Sequence, residues 1–275
     1  MAGVHLYAVC WNEAEMLGFF FRHYDAWVDR YVIVDDGSTD GTLELLEAHP
    51  KVEVRPFPRH DDSFVHAHTH LNNTIWHESR GVADWVVLAD IDEHYHHPRQ
   101  AVSDYLAEQR AAGVTLIPAL GFGMVHDELP PDHGRLVDVA PTGRPRAPFN
   151  KLGVFDPDAI SDTGIGHGRH VASPRGDVRL PARDELMLCH FKHLGFDRWV
   201  ARDDLLGTRR GRRDVAEGLG VHYFMTAEER RDFWSGLRAE AREVGGPSFV
   251  PDEHAAEPLW WAGLPRVAAP ATGQR

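Results

Sequence analysis

This 275-residue chain is short of cysteine and lysine, with two of the first and three of the second. Cys10 and Cys189 are too few for a disulfide framework, and no Cys-x-x-Cys pair exists to bind zinc. Both sit beside apolar residues, as expected of buried thiols. Long apolar runs are missing too; none approaches the roughly 18 residues of a spanning helix, so no transmembrane segment is expected. Residues 1–6 lack a basic region leading into an apolar one, so no signal peptide is expected and the expected location is the cytoplasm. Net positive charge is also absent. Lys plus Arg is 29 against 42 Asp plus Glu, a formal charge of −13. That balance excludes bulk nucleic-acid binding, which needs a basic face to displace counterions. It leaves room for a nucleotide held by a divalent metal and backbone donors.

What is present is ordinary for a soluble globular protein, at 43% apolar and 26% charged residues. No internal repeat or linker stands out. The pattern predicts one compact domain over residues 1–200, with a helical extension and tail over 201–275. Apolar, β-rich runs at 4–10, 31–34, 52–54 and 85–89 read as buried strands. Helical spacing falls between them at 15–27, 42–48 and 62–80. Such alternation predicts an α/β fold: a mainly parallel sheet with crossover helices. Further on, 102–112 reads as helix and 114–119 as strand. Residues 121–146, rich in Gly, Pro and His, read as loops around a site. Strands are predicted at 151–155 and 186–191, helices at 197–204 and 227–244. The last ten residues read as disordered.

Two strand ends carry acid. The second strand runs into Asp35-Asp36-Gly37-Ser38-Thr39-Asp40-Gly41. In an open parallel sheet, ligands bind beyond the carboxyl ends of the strands. Carboxylates there can accept hydrogen bonds from a base or from ribose hydroxyls. The plainer alternative is an acidic turn whose side chains cap the next helix. The fourth strand runs into Asp90-Ile91-Asp92-Glu93. Alternate residues of an extended chain project to one side, and paired carboxylates repel unless a cation or proton intervenes. Oxygen ligands are what Mg²⁺ and Mn²⁺ prefer. A solvated acidic loop is the competing reading of that pair alone.

Taken together with Asn12-Glu13 after the first strand, these motifs resemble the family-2-like glycosyltransferases of the GT-A fold. The likeness is strong over residues 4–95 and weaker to about 200. It implies a nucleotide-sugar half over 1–95 and an acceptor half over 96–200. It implies a transferase moving a sugar from a nucleotide-diphosphate sugar to a small-molecule or glycan hydroxyl, by direct displacement with inversion. Asn12, Glu13, Asp35 and Asp36 would face the nucleoside, and Asp90 the ribose or donor sugar. Asp92 would ligate a divalent metal, Mn²⁺ or Mg²⁺, with Glu93 orienting that site. Weaker downstream elements add Lys151 and His167 as donor contacts and His190 as a second metal ligand. Lys192 lies in the same element as His190.

An inverting transfer needs a base for the acceptor hydroxyl. The loop expected after residue 119 offers His126, Asp127 and Glu128, and Asp127 is the candidate. Two His clusters, 66–70 and 94–97, invite a zinc reading, but no His-Glu-x-x-His or Cys completes one. The basic run Arg209-Arg210-Gly211-Arg212-Arg213 reads as a solvated surface loop, or as a contact for an anionic acceptor. Trp260-Trp261 reads as tail packing, or as a platform for a sugar. Two other classes stay open. A nucleotidyltransferase also joins such a sheet to a metal–nucleotide site, though its glycine-rich loop with a basic residue is missing after the first strand. A non-catalytic binding protein on the same scaffold is the other. The strand-end acids together predict an acidic crevice, which would hold an anionic ligand through a divalent cation.

Overall fold

The computed structural model describes residues 3–58 and 62–269, without the His222 side chain. Among the described residues there are twelve strands: β1 (Val4–Cys10), β2 (Arg30–Asp35), β3 (Val52–Pro56), β4 (Trp85–Leu88), β5 (Glu93–His96), β6 (Leu116–His126), β7 (Thr142–Pro145), β8 (Lys151–Phe155), β9 (Ile160–Asp162), β10 (Arg175–Gly176), β11 (Met187–Leu194) and β12 (Arg242–Glu243). The helices are α1 (Ala14–Tyr24), α2 (Thr42–Glu47), α3 (Phe64–Thr74), α4 (Val102–Ala111), α5 (Leu136–Val139), α6 (Phe196–Thr208), α7 (Arg212–Ala216) and α8 (Ala227–Glu240).

The order β3-β2-β1-β4-β8-β6 forms the main sheet. β1 pairs parallel with β2 and β4, and β2 parallel with β3. β8 alone runs against the rest, antiparallel to β4 and β6. The fold is therefore α/β with a mostly parallel sheet flanked by helices, as the sequence pattern predicts. β6 belongs to two sheets. Its first residues pair with β8, while residues from Leu120 onward pair with β11 and β7. β5 and β12 complete the second sheet at its two edges.

Strand residues 31–34 and 85–88 are buried on both faces, which is why they read as unbroken apolar runs. α1 buries Met16, Leu17, Phe19, Phe20, His23 and Tyr24 against the sheet. Each large apolar side chain so buried contributes about 1.5–3 kcal/mol. The Tyr24 hydroxyl donates to the Glu93 carbonyl at 2.6 Å, tying α1 to β5. Among the described residues, no helix is long and apolar enough to cross a membrane.

Several predicted boundaries move. Residues 121–126, expected as loop, continue β6, and ten of its eleven residues are buried. Glycine there serves close packing rather than a turn. A Cβ on Gly121 would lie 2.1 Å from the Phe149 carbonyl carbon, because the 147–149 turn crosses directly over the strand. β5 was hidden by its polar letters. α8 stops short of 244 because Arg242 and Glu243 pair with β7 instead. The predicted 62–80 helix divides into α3 and a 3-10 turn, Ile75–Ser79. Of the last ten residues, 266–269 are described, and Arg266 donates to Asp184 at 2.7 Å; 270–275 lie outside the described residues. Trp261 is fully buried and donates to Asp184 at 3.1 Å, so the Trp pair packs the tail down.

Candidate active site

A cavity of about 680 Å³ opens beyond the carboxyl ends of β1, β2 and β4, a size typical of small-ligand sites. Trp11 and Glu13 reach it from β1, Asp36 from β2, and Asp90 and Asp92 from β4. β8 runs antiparallel, so its first residue, Lys151, arrives at the same end. β11 supplies His190, Lys192 and His193, and the turn after Gly166 supplies His167 and His170.

Glu93 is the buried anchor of this rim. Its side chain is fully enclosed and accepts from Lys151 Nζ at 2.5 Å and from Arg169. It also accepts from the Asp90 backbone N–H at 3.1 Å. Burial pushes the Glu93 carboxyl up, but the two cations outweigh it and hold it well below the usual range. Arg169 reaches on to Asp90 at 3.2 Å, and Lys151 Nζ lies 3.9 Å from the same carboxylate. Glu93 therefore aims two cations at Asp90.

Asp92 accepts from His190 Nε2 at 3.1 Å. Burial pushes its carboxyl up; the charge and hydrogen bond of His190, with Lys151 beyond, outweigh this and bring it down to about 2. Glu13 shows the opposite balance. Burial and the nearby Asp92 charge push it up to about 7 against the pull of Arg202, which donates to it.

The nucleoside candidates divide. Asp36 and Glu13 line the cavity, whereas Asp35 and Asn12 build the loops behind it. Asp35 accepts from the Gly37 and Ser38 backbone N–H groups at 2.9 and 3.0 Å and from the Ser38 hydroxyl. Asn12, held at φ 49°, accepts from Thr39 N–H at 2.7 Å and so fastens the first loop to the second. Asp35 thus holds its own turn, and α2 begins after Gly41, which offers no side-chain cap. Asp127 is not brought to the cavity. β6 carries it past the rim, where its side chain is 68% exposed and paired with Arg238 at 3.0 Å. The base expected there is a misplacement caused by reading β6 too short.

The acidic crevice also needs correcting. Seven Arg and Lys residues line the cavity against six Asp and Glu. Four of the arginines come from α6 and the turn after it, and two of these, Arg209 and Arg210, belong to the run that reads as a solvated loop or a contact for an anionic acceptor. Arg209 lies 3.8 Å over the Trp11 ring and donates to Asp36 Oδ2 at 2.7 Å and to its carbonyl at 2.9 Å. Arg198, Arg202 and Arg209 recur at helical spacing, a signal available in the sequence. Nothing comparable marks Arg146 or Arg169. Arg212, by contrast, is 94% exposed, though it opens α7 rather than lying in a loop.

The His clusters are structural in part. His94 is fully buried and stacked on His23 at 4.6 Å, and burial lowers it to about 3. His66 donates to Glu217 at 2.6 Å. His68 faces the cavity, 3.9 Å from Asp90. Both cysteines are buried, and burial pushes their thiols up. Among the described residues, no three His, Cys, Asp or Glu side chains gather as a metal cage. Asp92 and His190 are two groups of the kind that can ligate a metal, and they face each other across 3.1 Å. A hard divalent cation takes such a pair when phosphate and water oxygens supply its remaining positions.

No family model matches the sequence, and no curated protein matches it. Among solved structures, the chain is similar to glucosyl-3-phosphoglycerate synthase from Mycobacterium tuberculosis, in complex with Mn²⁺, UDP-glucose and phosphoglyceric acid. The identity is 14%, over 62% of this chain and 62% of that one, with a TM-score of 0.33. It is also similar to a 4-diphosphocytidyl-2C-methyl-D-erythritol synthase, at 12% identity over 57% of this chain and 76% of that one, TM-score 0.31. The chain thus spans less than two thirds of the length of the first. At those scores neither neighbour bears on the chemistry, which rests on this chain's own residues.

Proposed function

We propose that the protein is a glycosyltransferase of GT-A type that takes a nucleotide-diphosphate sugar as donor. The observation that carries this reading is the convergence of Asp36, Asp90 and Asp92 on one cavity at the carboxyl ends of β1, β2 and β4. The flat face of Trp11 and the carboxylate of Asp36 suit a nucleobase and ribose. Asp90, steadied by Arg169, would accept from sugar hydroxyls. Asp92 and His190 would hold a divalent cation, Mn²⁺ or Mg²⁺. When bound, that ion offsets charge on the leaving diphosphate. Lys151 adds a fixed positive charge beside it, with its orientation set by Glu93. His167 and His170 border the same cavity. Burial lowers His170 to about 4, so it meets a ligand as a neutral imidazole.

A thermal-shift screen of nucleoside diphosphates, with and without Mn²⁺, tests the reading. A metal-dependent rise in Tm for one base is expected. No shift with any base would overturn it. Product analysis then separates the classes: release of nucleoside diphosphate is expected, and release of pyrophosphate would make the protein a nucleotidyltransferase.

A further inference from the structure

Most cations around the cavity have an acidic partner. Arg202 is paired with Glu13, Arg209 with Asp36, Lys151 with Glu93, Lys192 with Asp203 at 2.9 Å and Arg198 with Glu15 at 2.9 Å. Arg210 donates to the Asp214 carbonyl at 3.2 Å. Arg146 differs. Among the described residues its side chain has neither an ion pair nor a hydrogen bond. Its guanidinium lies over the rings of Phe233 and Phe149, at 5.2 and 5.7 Å.

Two buried polar groups line the same cavity. His193 is 4% exposed and Trp199 2% exposed. His193 Nδ1 and Trp199 Nε1 meet no hydrogen-bond partner among the described residues. Their rings are 5.2 Å apart, and the Phe233 ring lies 5.3 Å from His193 and 5.5 Å from Trp199. A buried donor left without a partner costs about 1–3 kcal/mol. Arg146 is thus the group without an internal partner that lines the cavity, while the two buried nitrogens are sealed behind the aromatic wall of Phe149, Phe233 and Trp199.

We propose that this corner is the acceptor subsite, and that the acceptor carries an anionic group, a carboxylate or a phosphate, next to its reacting hydroxyl. The proposal rests on the glycosyltransferase reading and adds the acceptor's chemical class. A guanidinium fork without an internal partner matches the two oxygens of such a group. Phe149 and Phe233 supply apolar faces for a short carbon skeleton. Strand order places the corner apart from the donor. The nucleoside contacts sit at β1 and β2, Asp92 follows β4, and Arg146 follows β7 on the far flank of the sheets. Gly123 on β6 makes the position possible, since a Cβ there would meet Arg146 Cγ and Phe149 Cε2 at 3.2 Å.

Calorimetric titration with inorganic phosphate and, separately, acetate tests the subsite in the wild type, Arg146→Met and Arg146→Lys. Met keeps the stem on the two rings, and Lys keeps the charge without the fork. At least one anion should bind the wild type, about tenfold more weakly in R146M and with intermediate affinity in R146K. Whichever anion binds names the group. Absence of binding by both anions, or equal affinity in all three proteins, would overturn the proposal. Nucleoside diphosphate binding with Mn²⁺, followed in R146M, keeps the two readings separable. It should match the wild type. If no form binds a nucleotide while anion affinity still tracks Arg146, the donor reading fails and the anion site stands. Nucleotide binding with anion affinity indifferent to Arg146 has the reverse meaning.

Discussion

The rim of the cavity has two makers. Four of its six carboxylates, Glu13, Asp36, Asp90 and Asp92, follow the ends of β1, β2 and β4, while Asp203 and Asp214 come from α6 and α7. Five of its seven cations come from elsewhere: Arg146 before β8, and Arg198, Arg202, Arg209 and Arg210 from α6 and the turn after it, with Arg202 and Arg209 189 and 173 residues beyond the acids they meet. The four strand-end acids are local features of chain direction, since a parallel strand must end where its ligand begins. Those five cations are tertiary features that exist only once distant segments fold over the sheet. A net charge of −13 therefore says little about this cavity, where the two signs nearly balance.

Glu93 is where the two makers depend on each other most. Glu93→Ala leaves Lys151 and Arg169 buried without their main partner. Removing one member of a buried pair costs about 3–5 kcal/mol, and denaturant unfolding should show a loss of that size. Glu93→Gln should recover part of it by keeping an acceptor. A loss under about 1 kcal/mol in E93A would break the claim that this carboxylate organises the cations. The next effect belongs to the acids alone. Asp92→Ala should lower transfer about 10³-fold, the several kcal/mol that a metal contributes to leaving-group stabilisation, and abolish the Mn²⁺-dependent Tm shift. The unfolding midpoint without nucleotide should stay near the wild type. Full activity in D92A would remove Asp92 from the metal site.

Legibility followed the same division. β1, β2 and β4 were readable because strands buried on both faces are apolar throughout, and Asp36, Asp90 and Asp92 because turn chemistry and acid follow each strand directly. β5 was not readable. Its letters are Glu-His-Tyr-His, and they are buried because Arg169 and Lys151 neutralise Glu93 and because His94 stays uncharged against His23. Residues 121–126 looked like loop because glycine marks turns far more often than close crossings, and Phe149 makes the crossing here. Asp127 was misplaced as a direct result. Asp35 and Asn12 were assigned to the nucleoside on resemblance, yet their side chains are taken up by the loops that carry Asp36 and Glu13. Arg209 was legible as charge but not as site, since nothing local indicates that α6 lies against Trp11.

Glu13 sharpens the comparison further, because an acid from the first region is set by charges from both. Its folded value is about 7 against an ordinary 4.5. The native state therefore holds more protons than the unfolded state between those limits, and stability falls as pH rises through that window. At about 1.4 kcal/mol per unit the window is worth roughly 3 kcal/mol. The groups facing it are Arg202 and Arg198 from α6 and Asp92 from the rim. Glu13→Gln should match the wild type near pH 4.5 and exceed it near pH 8 in thermal unfolding. Arg202→Ala should push the Glu13 midpoint higher still. An E13Q variant whose advantage does not grow with pH would show that burial is relieved in solution.

The smallest expected effect tests whether the late cations complete the site or compete for it. Arg209 lies flat on Trp11 and donates to both the carboxylate and the carbonyl of Asp36. A nucleobase using that ring and that carboxylate has to displace the guanidinium first. The apparent affinity of a ligand falls with the fraction of protein whose site is open. Arg209→Ala should then tighten nucleoside diphosphate binding about three- to tenfold, measured by calorimetry in Mn²⁺, with the gain in the association rate. Weaker binding would mean the opposite: Arg209 would be a clamp on the bound nucleotide, and α6 a working wall of the site. An unchanged affinity would separate Asp36 from the nucleoside altogether, leaving Asp90 and Asp92 as the acids that matter.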